Sequence, residues 1–135
     1  RAATGQGLSA GHAAAARRLR QAVARAPFMV AGTGRFDTRV MSHFGERVFC
    51  KVGAEGVYCA ALPERGLGVA IKMDDGNTAR AAELVMGALI EALVVRDDAD
   101  AAAIAPLAQV VMRNWNGIEV GRLRAAEALR SALPR

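Results

Sequence analysis

The stretch RVFCKVGAEGVYCAALPERGLGVAIKMDDG, residues 47–76, decides the fold. It contains three apolar runs rich in β-branched and aromatic residues, at 47–52, 56–62 and 67–73, separated by turn signals at residues 53–56 and 63–66. Connections this short leave no room for crossover helices, so the runs read as an antiparallel meander. Both faces of each run are apolar, which predicts a sheet covered on both sides. The same stretch holds both lysines of the chain, Lys51 and Lys72, against 16 arginines in all.

Upstream, residues 1–8 are small and polar and read as a flexible start. Ser9 can cap a helix whose Ala13, Ala16, Leu19 and Val23 share one face, and Pro27 stops it. VAGTGR, residues 30–35, is a glycine-containing loop; a short helix follows, with Asp37 or Thr38 as N-cap and Gly45 just past its end. Downstream of DDGN, residues 74–77, a long helix runs to about Val95 with Leu84, Val85, Ala88, Leu89 and Ala92 as its buried stripe. A further helix is expected over about 99–112, broken or started afresh at Pro106, then a turn at NWNG, residues 114–117, and a short closing strand or helix. The order is α+β: an antiparallel β-meander covered by helices. Three strands are few for this many helices, so the rest of the sheet is expected from an N-terminal part or a partner.

The length of 135 residues suits one domain with one core. No apolar run is long enough to span a membrane, and no signal-peptide pattern opens the chain. Two cysteines without metal-type spacing point to a reducing, cytoplasmic setting. The net charge of +5 raises the question of nucleic acid. The arginines are dispersed, however: Arg17, Arg18, Arg20 and Arg25 on one helix, Arg122, Arg124, Arg130 and Arg135 near the C-terminus. With six aromatics available for stacking, a solvated basic surface is the reading, and no nucleic-acid partner is expected.

Lys51-Val52-Gly53 at the end of the first strand matches the Lys-x-Gly motif of serine β-lactamase-like enzymes. There the ammonium would support a nucleophile's proton or a substrate carboxylate. Gly53 would let substrate lie against the strand, and the Ala54 N–H would face a developing oxyanion. Three residues recur by chance, and the alternative is a lysine at a strand end in solvent.

The longer strings MVAGTGRFDT (29–38), KVGAEGVYCAALPERGLGVAIKMDDGNTAR (51–80) and NWNGIEVGRLR (114–124) together closely resemble the asparaginase II family, the serine–lysine asparaginases of the rhizobial type. The resemblance covers roughly residues 10–124. It implies a serine β-lactamase-like fold and hydrolysis of L-asparagine to aspartate and ammonia through two serine–lysine pairs. Lys51 matches one lysine of those pairs. The nucleophilic serines, one in Ser-x-x-Lys, lie upstream in family members, whereas Ser9, Ser42 and Ser131 here have no lysine three residues on. Residues 9–135 therefore read as the C-terminal portion of an asparaginase-like domain, inactive alone.

The resemblance also bears on neighbouring residues. Thr33 and Arg35 are candidates for the substrate carboxylate, and Glu55 for the substrate ammonium or for Lys51. Family members bind zinc partly through a cysteine at the position of Asp37; aspartate can ligate zinc, so Asp37 is a metal candidate as well as a helix cap. No cofactor is required for the implied chemistry, and zinc is in question. The implied partners are a small-molecule amide substrate and either a second copy or the N-terminal part. The alternatives are a non-catalytic binding or assembly module, or a hydrolase of the same fold acting on another amide or a lactam.

Among the remaining polar residues, Cys50 and Cys59 face each other if the hairpin turns at 54–55, as a cross-strand pair or as two buried thiols. His12 and His43 read as ordinary helical or capping residues. Lys72 is a second cleft cation or a solvated strand end, and Trp115 an anchor of the C-terminal turn.

Overall fold

The computed structural model describes Arg1 and residues 3–133. The expectation for Arg135 lies outside the described residues. The chain runs through helix α1 (Ala10–Arg25), helix α2 (Phe28–Ala31), helix α3 (Phe36–Phe44), strands β1 (Phe49–Val52), β2 (Val57–Leu62) and β3 (Leu67–Lys72), helix α4 (Glu83–Val94), helix α5 (Asp98–Ala108), strands β4 (Gln109–Arg113) and β5 (Glu119–Arg124), and helix α6 (Glu127–Ala132). This is the expected α+β class.

The meander forms as expected, with β2 central and both pairings antiparallel. Its register places Cys50 opposite Ala60 and Lys51 opposite Cys59, so the two cysteines point to opposite faces. They are one step out of register for a cross-strand pair; both are free, Cys50 buried and Cys59 exposed.

Cover on both sides is not what the described residues show. One face packs Cys50, Tyr58, Ala60 and Leu62 against Phe36, Val40, Met41, Phe44, Met86 and Ile90 of α3 and α4. On the other face Ala61 is buried and Phe49 and Val57 are half-buried. That face is open where the row Lys51, Cys59, Ala70 and the neighbouring Lys72 lie. Small side chains explain the error, because alanine and glycine look apolar in a sequence yet need little cover.

Packing corrects four further expectations. In α1 no residue is buried, and Leu19 is 68% exposed, while Ala13, Ala16, Arg20 and Val23 are half-buried. Helix α4 buries Leu84, Met86, Ala88, Ile90 and Val94 rather than one stripe, because it touches the meander on one side and Ala125 on the other. Gly87 lets α4 and α5 approach: a Cβ there would lie 2.7 Å from the Leu107 carbonyl oxygen. The helix expected to reach residue 112 ends at Ala108, and 109–113 pair with β5 as a hairpin. Trp115, expected to anchor that turn, is fully exposed at its tip.

The segment before α1 forms turns, with Gly5 N–H on Arg1 O and Ala3 buried beneath Arg20. Ser9 caps α1 as expected, and its hydroxyl also meets His12 Nδ1. No helix of the described residues is long and apolar enough to cross a membrane.

Candidate active site

The β1–β2 turn is the centre of the candidate site. Gly53 N–H donates to Val57 O at 2.8 Å, and Val57 N–H to Ala54 O at 3.3 Å. Glu55 takes a positive φ of 56°, the only non-glycine to do so among the described residues. A left-handed residue without glycine is held there by its surroundings. Thr78 supplies part of that hold: its hydroxyl accepts from Gly56 N–H at 3.2 Å and reaches Gly53 O at 3.4 Å. Lys72 supplies the rest, its Nζ donating to Glu55 O at 2.7 Å and Met73 O at 2.8 Å. Gly56 is required, since a Cβ there would meet Met73 O at 3.0 Å.

Lys51 is exposed, and its Nζ donates to the carbonyl of Val52 at 2.8 Å. The residue sits on the open face of the sheet, in the position that the alternative reading of a strand-end lysine in solvent describes. Ala54 and Glu55 are also exposed, and Gly53 is half-buried. Three cavities, of about 280, 290 and 600 Å³, are lined by other residues.

On the packed side, Asp37 does not cap α3. Arg35 is the N-cap residue, without a side-chain bond, and Thr38 reaches back to Gly32 O at 2.6 Å to close the loop. Asp37 lies in the first helical turn and is wholly buried. One carboxylate oxygen accepts Val52 N–H at 2.9 Å and the other accepts the Tyr58 hydroxyl at 2.5 Å. Burial pushes the Tyr58 hydroxyl well up, and the bond to Asp37 adds to that. Tyr58 also stacks edge-on against Phe36 at 5.4 Å.

Thr33 and Arg35 are exposed in the loop before α3. The Asp37 bond ties this loop to the end of β1. Arg35 acts on Glu83, the first residue of α4: burial pushes the Glu83 carboxyl up, Arg35 pulls it down and Asp37 raises it again. The structure thus gathers the 32–37 loop, the 51–56 turn and the 78–83 segment around one end of the meander.

The zinc implied by the resemblance does not fit these residues. Both oxygens of Asp37 are taken by internal donors. No group of three or more His, Cys, Asp or Glu able to hold a metal occurs among the described residues. Nor does Cys50 help: burial pushes its thiol up, with Asp37 adding to the effect, and it stays a poor ligand.

Sequence reasoning missed Thr78, Tyr58 and Glu83, whose partners lie 15 or more residues away. It also missed the role of His43. Its Nε2 meets Asp100 Oδ1 at 2.8 Å, while Arg47 grips both Asp100 oxygens at 2.7 and 2.8 Å and Arg96 N–H donates at 3.1 Å. Asp100 is 2% exposed, so this network fastens α3 to α5. Asp97 caps α5 by accepting Asp100 N–H at 2.8 Å, so Asp100 stands in the first turn, where an aspartate in solvent would serve equally well.

Compared with known proteins, the chain matches the model of the family described as L-asparaginase II over residues 1–125. No curated protein matches it.

Proposed function

The chain belongs to the L-asparaginase II family, and from that membership we propose that it contributes one wall of a serine–lysine asparaginase site. Membership makes the protein an asparaginase-type amidohydrolase in general terms, and the family match over residues 1–125 is the observation that carries the reading. The finer reading adds a β-lactamase-like arrangement. In it a hydroxyl nucleophile, from a segment bearing Ser-x-x-Lys, attacks the side-chain amide carbon of L-asparagine. The Lys51 amine takes the hydroxyl proton and returns it to the leaving nitrogen, so ammonia departs and water then releases aspartate. Ala54 N–H is the donor toward the developing oxyanion. Arg35 and Thr33 receive the substrate carboxylate, and Glu55 its ammonium.

Support for this layout comes from the fastening of the Lys51–Gly56 turn by Asp37, Thr78 and Lys72. Lysine suits the task because desolvation lowers its pKa, whereas arginine stays charged. An exposed Lys51 cannot be desolvated within this chain. The reading therefore requires a second segment, from the parent polypeptide or a partner copy, to cover the open face. Alone, the 135 residues are inactive in this reading, and they act in the cytoplasm without an obligatory cofactor.

A second reading has one observation in its favour: the Lys51 ammonium rests on a neighbouring carbonyl in solvent, as a structural strand-end lysine would. Ammonia release from L-asparagine by the full gene product, with and without Lys51→Ala, separates the two. A loss of on the order of a hundredfold or more is expected, the usual scale of acid–base catalysis. An unchanged rate removes Lys51 from the mechanism.

A further inference from the structure

We infer that Asp37 is a metal-independent positioning residue, clamping the end of β1 that carries Lys51. The two donors to its carboxylate, Val52 N–H and Tyr58 Oη, belong to residues that are Cα partners in the β1–β2 register. One side chain of α3 therefore bridges both strands in the row next to Lys51 and Cys59.

The peptide unit explains why this reaches the lysine. Val52 N–H and Lys51 C=O share one rigid plane. Fixing the N–H fixes the rotation of that plane, and with it the direction in which the Lys51 side chain leaves the strand. Gly53, which follows at once, is held separately by its own N–H on Val57 O at 2.8 Å.

The clamp needs no metal at the same atoms. A buried carboxylate is tolerated when its oxygens are hydrogen-bonded, and here each has its donor. Asp37 is wholly buried, and no group of three or more His, Cys, Asp or Glu able to complete a metal's shell occurs among the described residues. Thus, where the family resemblance puts a metal ligand, this chain puts a carboxylate closed by its own fold.

The word positioning rests on the asparaginase reading; the clamp itself can be tested without turnover, so the two can fail separately. Amide hydrogen exchange is measured on the 135-residue chain, comparing Val52 with Ile104, a buried residue of α5. Zinc alone and a chelator are added in parallel, and zinc binding is followed by calorimetry. Val52 should be protected and unmoved by zinc or chelator. In Asp37→Ala, Val52 exchange should accelerate on the order of tenfold beyond any change at Ile104, the scale of one lost buried hydrogen bond. Asp37→Asn, which keeps an acceptor for Val52, should restore most of that protection. Should Asp37→Ala not fold, the wild-type and Asp37→Asn arms decide alone. The inference is overturned if Val52 is unprotected in the wild type, or if Val52 and Ile104 accelerate together. It is equally overturned by one-to-one zinc binding that Asp37→Asn abolishes and that frees Val52.

Discussion

The two faces of the meander differ in what holds them. Toward the helices, Cys50, Tyr58 and Leu62 are buried and Asp37 spends both oxygens on internal donors. On the open face, Lys51, Cys59 and Lys72 stand in solvent, with the ammonium groups resting on backbone carbonyls of the turn. The difference teaches that the packed side sets where Lys51 is, while nothing among the described residues sets the medium around its amine. A residue can be rigidly placed by its backbone and still lack the environment its chemistry needs.

The contrast is best broken from the packed side. Asp100→Ala should cost about 3–5 kcal/mol, because it strands the Arg47 guanidinium beside a core element; urea unfolding measures it. The Arg47 contact holds the Asp100 carboxyl well below the usual carboxylate range, against the upward push of burial. Since the folded value is the lower one, this stabilisation is complete above about pH 4 and fades as pH falls below it. Wild-type stability should drop through that acid window, and the Asp100→Ala profile should be flatter.

Next in size is thiol labelling. Cys59 should react freely with a thiol reagent, whereas buried Cys50 should react about a hundredfold or more slowly, since it must first be exposed by opening. Equal rates would erase the distinction between the faces. The smallest effect belongs to Lys51→Ala, which should change stability by less than about 0.5 kcal/mol, as exposed substitutions do. A larger loss would mean that the amine is part of the fold.

Much of this architecture was legible in advance. The alternation of apolar runs and short turns fixes the meander, and the Ser9 cap and Pro27 fix α1, because these signals act within a few residues. Residues 109–112 misled because QVVM reads on from the alanine-rich helix, whose Pro106 stays inside α5, and only pairing with β5 makes it a strand. The site was half legible. Lys51, Gly53 and Glu55 stand in one motif, and the fixed turn was readable from its glycines. Asp37 was noticed but read as a cap or a metal ligand, since its donors lie 15 and 21 residues downstream. Asp100 and His43, 57 residues apart, carry no local signature of their contact.

The most direct test of the account gives the isolated 135-residue chain L-asparagine and measures ammonia. The account predicts no release above the uncatalysed background, because the proposal assigns both the hydroxyl nucleophile and the cover over Lys51 to a segment outside these residues. Sustained turnover by the isolated chain would contradict it and place a complete catalytic centre within residues 1–135.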